Sequence, residues 1–196
     1  MPTGKRLETA SADDGAFHRE LPGTGNRRRG LMTIHMHGTP LTPRSELERM
    51  KGKSFCVSFA NPGDADWCLI NGQMVMWDNG RFTAFTQGKA VNDAKLYAWL
   101  EPRLGHPHWG VIPDVIGGSV EENIALIKQW PFRKVLGAPV WHLNEPIQHL
   151  IALVEMGFER VCFGSAGEYW QVGSPVWCAR IEAAFNALIH HFGHLP

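Results

Sequence analysis

The feature that most constrains the fold of this chain is an alternation. Short runs of β-branched, aromatic or sulfur-bearing residues recur along it: MTIHMH (32–37), SFCVSF (54–59), MVMW (74–77), WGVIPD (109–114), APVWH (138–142) and RVCFG (160–164). Between them lie helix-like segments. TPRSELERM (42–50) has a Thr-Pro start and a charged face. NDAKLYAWLEPRL (92–104) offers Asn92 as an N-cap. SVEENIALIKQW (119–130) puts Ser119 and Glu122 at capping-box spacing. EPIQHLIALVEMGF (145–158) closes on Gly157, and SPVWCARIEAAFNALIHHFG (174–193) opens Ser-Pro and ends in Gly. Strand alternating with helix predicts βαβ units and a parallel sheet. The strand runs are nearly continuously apolar, as strands covered on both faces should be. The expected fold class is therefore α/β, a (β/α) TIM-barrel-like domain. It is incomplete, because about six βα units fit where a closed barrel takes ~8.

The chain has 196 residues, enough for one domain with a real core. Residues 1–30, rich in Gly, Ser, Thr, Asp and Arg and without a sustained period, read as a flexible N-terminal tail. Residues 31–196 read as a single domain. Lys plus Arg and Asp plus Glu balance at 19 each, so net charge gives no argument for a nucleic-acid or membrane partner. The basic NRRRG (26–30) reads as a solvated run. No stretch approaches the ~18 consecutive apolar residues of a membrane span. The N-terminus lacks the apolar core of a secretory signal. Four scattered cysteines with no Cys-x-x-Cys pair argue against a structural zinc site and fit a reducing, cytoplasmic setting.

Chemistry-bearing residues cluster where the strand runs end, the position of ligand sites in both parallel barrels and open doubly wound sheets. His35 and His37 stand two apart before Gly-Thr-Pro, a spacing that puts both imidazoles on one face of a strand. In WDNGRF, Asp78 and Asn79 enter a tight turn; the alternative role for Asp78 is an Asx-type turn bond. In VIPDVIGG, Asp114 follows a buried-looking strand, and Gly117 and Gly118 let backbone approach a ligand. Its alternative role, capping the next helix, is better filled by Ser119. His142 follows the fifth run, with Asn144 or Glu145 opening the next helix. Gly164, Ser165 and Gly167 form a small-residue loop after the sixth, wide enough for a flat ligand or a phosphate.

Taken in order, HMHGTP, FCVSFA, MWDNGRF, VIPDVIGG, APVWH and CFGSAGEY resemble the tRNA-guanine transglycosylase superfamily. The likeness is to its phage and prophage queuine tRNA-ribosyltransferase-like branch, related to the DNA 7-deazaguanine transglycosylases, and it spans roughly residues 32–180. The resemblance implies a (β/α)8 barrel that exchanges guanine for a 7-deazaguanine in tRNA or DNA through a covalent sugar–aspartate intermediate, with no cofactor. It implies that Asp78, matching the aspartate of the family's Asp-Ser-Gly-Gly-Phe motif, faces the base and transfers protons. Asp114 matches the aspartate that reads the guanine edge. Gly164 matches a glycine whose backbone contacts the base, and His142 stands where the family carries a base-contacting glutamine. Asn79 replaces a serine and Arg81 a glycine.

The chain departs from that pattern after its sixth βα unit. The family's nucleophilic aspartate lies on its last strands, and no aspartate occurs here after Asp114. The resemblance therefore implies a transglycosylase-like protein inactive alone, with a separately encoded C-terminal fragment as an expected partner. Two other classes stay open. One is a metal-dependent amidohydrolase built on His35 and His37. The other is a non-catalytic barrel remnant or binding subunit. Without a metal, His35 and His37 would line the pocket floor.

Overall fold

The computed structural model describes residues 33–196, so the expected tail lies outside the described residues. They form seven short strands and seven α-helices, alternating except where α4 follows α3 and β6 follows β5. The strands are β1 (Met36–Gly38), β2 (Ser54–Ser58), β3 (Met74–Asp78), β4 (Trp109–Val111), β5 (Gly137–Ala138), β6 (Val140–His142) and β7 (Cys162–Gly164). The helices are α1 (Arg44–Arg49), α2 (Ala65–Asn71), α3 (Arg81–Thr86), α4 (Asp93–Leu100), α5 (Val120–Lys128), α6 (Ile147–Glu155) and α7 (Pro175–Phe192).

Strands β1 to β5 form one parallel sheet in sequential order, and β6 and β7 form a parallel pair. Pro139 divides β5 from β6, which otherwise form one run of chain. Proline has no N–H to donate, so the ladder breaks at its position. Its carbonyl still accepts from the Cys162 amide at 2.8 Å, and the Ala138 carbonyl accepts from Ile112 at 2.9 Å. The expected fifth strand run therefore spans both sheets.

Side-chain parity explains the layers. On one face, Phe55, Val57, Val75, Trp77, Ile112 and Trp141 are buried against helix residues such as Leu47, Cys68, Leu96, Ile127, Leu150 and Leu188. Burial of such side chains contributes about 1.5–3 kcal/mol each. On the other face, Trp109, Val111 and Ala138 pack with Met36, Met74, Met76, Val140 and Cys162, all of them strand residues. Strands with apolar cover on both faces read as unbroken hydrophobic runs, which is why the sequence lacks alternation here.

The helix caps follow local chemistry. Asn92 accepts from the Lys95 amide at 3.0 Å. Ser119 and Glu122 make the reciprocal capping box at 3.2 and 2.7 Å. Ser174 caps α7, Pro175 fills its first turn, and Gly193 ends it at φ 76°. No helix among the described residues is long and apolar enough to cross a membrane.

Candidate functional site

A cavity of about 860 Å³ opens at the carboxyl ends of β3, β4, β6 and β7. Strand residues that alternate onto the face away from the helices form its apolar floor: Met76, Val111, Val140 and Cys162. Two residues on from Met76, Val140 and Cys162 the same parity brings Asp78, His142 and Gly164 to the cavity, while Asp114 enters it from the loop beyond β4. Asp78 ends β3, Asp114 follows β4, His142 ends β6, and Gly164 ends β7. Asn79 and Ser165 line the same cavity, as do Gly117, Gly118 and Gly167 of the two glycine-bearing loops.

The turn after β3 explains how Asp78 and Asn79 are aimed. Gly80 adopts φ 73°, and a Cβ there would stand 2.7 Å from the Ala60 amide nitrogen, so only glycine fits. Its N–H donates to Asp78 Oδ2 at 3.0 Å, which is the turn bond anticipated as the alternative role. Asn79 Oδ1 accepts from the Arg81 amide at 2.9 Å. The other oxygen of Asp78 has no hydrogen-bond partner among the described residues. Asp78 thus serves the turn and faces the cavity at once.

A buried chain of hydrogen bonds runs behind the cavity wall. Asn79 Nδ2 donates to the Ile112 carbonyl at 3.0 Å and to Asp114 Oδ1 at 2.8 Å. Asp114 Oδ2 meets His142 Nε2 at 3.0 Å. His142 Nδ1 meets Glu145 Oε1 at 3.1 Å, and Glu145 Oε2 meets His149 Nδ1 at 2.7 Å. Asn123 of α5 donates to Glu145 Oε1 at 3.2 Å while its own carbonyl accepts from the Val115 amide at 2.7 Å. It ties the loop after β4 to the loop after β6. Asn79, Asp114, Asn123, His142, Glu145 and His149 are all buried.

Both ring nitrogens of His142 face carboxylates, a geometry satisfied when both carry protons. Burial alone would lower its pKa. The bonds to Asp114 and Glu145, and their negative charge, outweigh burial and raise it from 6.5 to about 9. Burial would likewise raise Glu145, but its bonds with His142 and His149 hold it at about 2. Two thiols stand near the same carboxylates. Burial, then the Asp78 charge, pushes Cys56 up to about 12. Burial, then Asp78, Asp114 and Cys56, does the same to Cys162. Neither is a thiolate nucleophile near neutral pH.

Gly164 answers a steric need. A Cβ at that position would lie 3.0 Å from His142 Cδ2 and 3.1 Å from Val140 Cγ1, so glycine gives the imidazole its room. Ser165 Oγ accepts from the Trp177 indole N–H at 3.0 Å, which ties the cavity rim to α7.

His35 and His37 are placed elsewhere, and the expectation that they line the pocket floor is corrected. β1 begins only at Met36, so His35 precedes the strand and is exposed. His37 turns to the helix side, its ring 6.4 Å from that of Phe55. Met36, between them, takes the opposite face. Neither histidine lines the cavity that His142 lines. No group of three or more His, Cys, Asp or Glu side chains is arranged as a metal site among the described residues.

Comparison with family models, with curated proteins and with solved structures gives no match for this chain. The site is read from its own geometry.

Four residues of the site carried no sequence expectation as site residues: Asn123, His149, Arg180 and Trp170. Glu145 was expected only as a helix start. A signal existed for one pair, since Glu145 and His149 stand at i, i+4, the spacing of facing helical side chains. Arg180 had none. It comes from α7 to donate to the Leu143 carbonyl at 2.7 Å and to the Glu145 carbonyl, its guanidinium 5.1 Å from the Trp141 ring centre and 5.6 Å from that of Tyr169. Trp170, exposed at the rim, lines the cavity from the loop after β7.

Proposed function

We propose that the chain is an open (β/α) barrel of six βα units that binds a guanine or 7-deazaguanine base, in the manner of the transglycosylases it resembles. The observation that carries this reading is the convergence of Asp78, Asn79, Asp114, His142, Gly164 and Ser165 on one cavity at the carboxyl ends of parallel strands. The barrel reading is supported by the sequential, all-parallel strand order. It is supported also by the single apolar cluster that joins Met36 of β1 to Cys162 of β7, which asks the strands to curl around it.

The chemistry suits a flat, amine-bearing ring. Met76, Val111, Val140 and Cys162 offer an apolar face, and the cavity falls within the volume range of small-molecule sites. Asp114 is held by Asn79 and His142, one on each oxygen. A carboxylate has about four acceptor sites, so it can still accept the N1–H and exocyclic amine of such a base. Asp78, with an unengaged oxygen, is the group suited to proton transfer.

Base transfer needs a nucleophile aimed at C1′. The cavity-lining carboxylates are Asp78, Asp114 and Glu145, and the last two are engaged in the buried chain. That favours a second reading, base binding without transfer, unless a separately encoded fragment supplies the nucleophile. Incubating the chain with labelled guanine or labelled 7-deazaguanine, on tRNA and on DNA, separates the two. Label entering either nucleic acid establishes transfer by the chain alone. Retention of free base by the protein with no label in nucleic acid leaves binding only, and neither label transfer nor base retention would overturn base recognition.

A further inference from the structure

A second pocket, of about 210 Å³, lies at the amino ends of the strands, among residues Gly105–His108, Arg133, Val135, Leu136 and Arg160. It shares no lining residue with the cavity at the carboxyl ends. Its polar side chains are His106, His108, Arg133 and Arg160, and no carboxylate lines it. In a chain whose formal charges balance, such a one-signed grouping is not the background composition. Arg160 is braced: its Nη1 donates to the Val135 carbonyl at 3.1 Å, and its guanidinium sits 5.7 Å from the Trp109 ring centre. Its nearest carboxylate is exposed Glu159, at 3.5 Å. Arg133 is exposed and has no carboxylate within ion-pair distance among the described residues. His108 Nδ1 accepts the Val75 amide at 3.0 Å, so its proton resides on Nε2, a donor left for a ligand. The turn that carries both histidines is closed by the His108 amide donating to the Gly105 carbonyl at 2.6 Å.

We propose that this pocket binds a phosphate group, free or as a small phosphate ester, through the guanidinium groups of Arg133 and Arg160 and the imidazoles of His106 and His108. Guanidinium forks match phosphate oxygens in a bidentate way, and a neutral imidazole N–H adds a directional bond. Two cations, one braced and one without a carboxylate partner, beside a small pocket suit a compact dianion better than a carboxylate. The site is independent of base binding at the other end of the strands.

The test is an NMR titration of the full chain with inorganic phosphate and, in parallel, with a nucleoside 5′-monophosphate, following the His106 and His108 imidazole resonances. Saturable shifts of both are expected, and the tighter of the two probes tells free phosphate from an ester. Arg133→Gln should weaken binding about tenfold or more, the loss of one charge-assisted pair. Arg160→Gln should do the same. Because Arg160 also braces Val135, Arg133→Gln decides if that variant fails to fold. No saturation by about 10 mM of either probe, or unchanged affinity in Arg133→Gln, would overturn the proposal.

Discussion

At the scale of single residues, His142 organises the candidate site. It stands between Asp114 and Glu145, and its positive charge is what makes two buried carboxylates tolerable beside a cavity. Its pKa is raised from 6.5 to about 9 in the folded chain, so its stabilising contribution is complete below about pH 6.5 and is lost as pH rises through about 9. Glu145, held at about 2, contributes above its ordinary 4.5 and loses that contribution only in strong acid. The two shifts describe the same contacts and are counted once. Thermal melts should therefore give maximal stability from about pH 4.5 to 6.5 and a decline toward pH 9.5, worth roughly 3 kcal/mol at most. Glu145→Gln removes one of the two carboxylates. It should cost about 2–4 kcal/mol at pH 6 and flatten the alkaline decline, because His142 then has less to lose. A decline of unchanged steepness in that variant would mean that His142 is not the titrating group.

At the scale of elements, α7 does more than cover the β6–β7 pair. Arg180 reaches from it to the carbonyls of Leu143 and Glu145, and Trp177 reaches to Ser165, so the helix holds two of the loops that shape the cavity. Arg180→Met keeps an aliphatic stem against Trp141 but leaves both carbonyls without their donor. We expect a loss of about 1–3 kcal/mol and faster amide exchange in residues 143–146, with the β1–β5 sheet unaffected. Hydrogen-exchange mass spectrometry measures both. Four of the helices were legible because their ends carry chemistry, Asn92, Ser119 and Ser174 as caps, Pro175 in a first turn, Gly157 and Gly193 past the ends, and α1 was legible from its Thr-Pro start and charged face. The two that escaped notice lack such marks. α2 starts at Asp64 without a side-chain cap bond, and α3 starts from left-handed Gly80 inside the turn that aims Asp78. Both are short and held by tertiary contacts rather than by their own ends.

At the scale of the whole molecule, strand–helix alternation and near-continuous apolar runs made the parallel α/β architecture readable, and strand ends pointed to the cavity. The register of the first strand was not readable. MTIHMH alternates, with Met32, Ile34 and Met36 on one parity and Thr33, His35 and His37 on the other, and nothing local says which face meets the cavity; a slip of one residue exchanges the two. Local sequence therefore aimed His35 and His37 at the ligand, whereas the pairing of Met36 with Ser54 turns His37 toward the helices. Asn123 was hidden for another reason: it and Glu145, 22 residues apart, meet only in the fold. What that fold assembles is a carboxylate, Asp114, set in a cavity with both neighbours fixed. The most direct test is calorimetric titration of a 7-deazaguanine base into the wild type, Asp114→Asn and Asp78→Asn. Asp114 also holds His142, so circular dichroism must first establish that the Asn variant is folded. Each charge-assisted bond to the base contributes roughly 1.5–3 kcal/mol. The account predicts measurable binding by the wild type, about tenfold or more weaker binding by folded Asp114→Asn, and a smaller loss in Asp78→Asn. Absence of binding to the wild type, or equal affinity for Asp114→Asn, would contradict base recognition by this cavity.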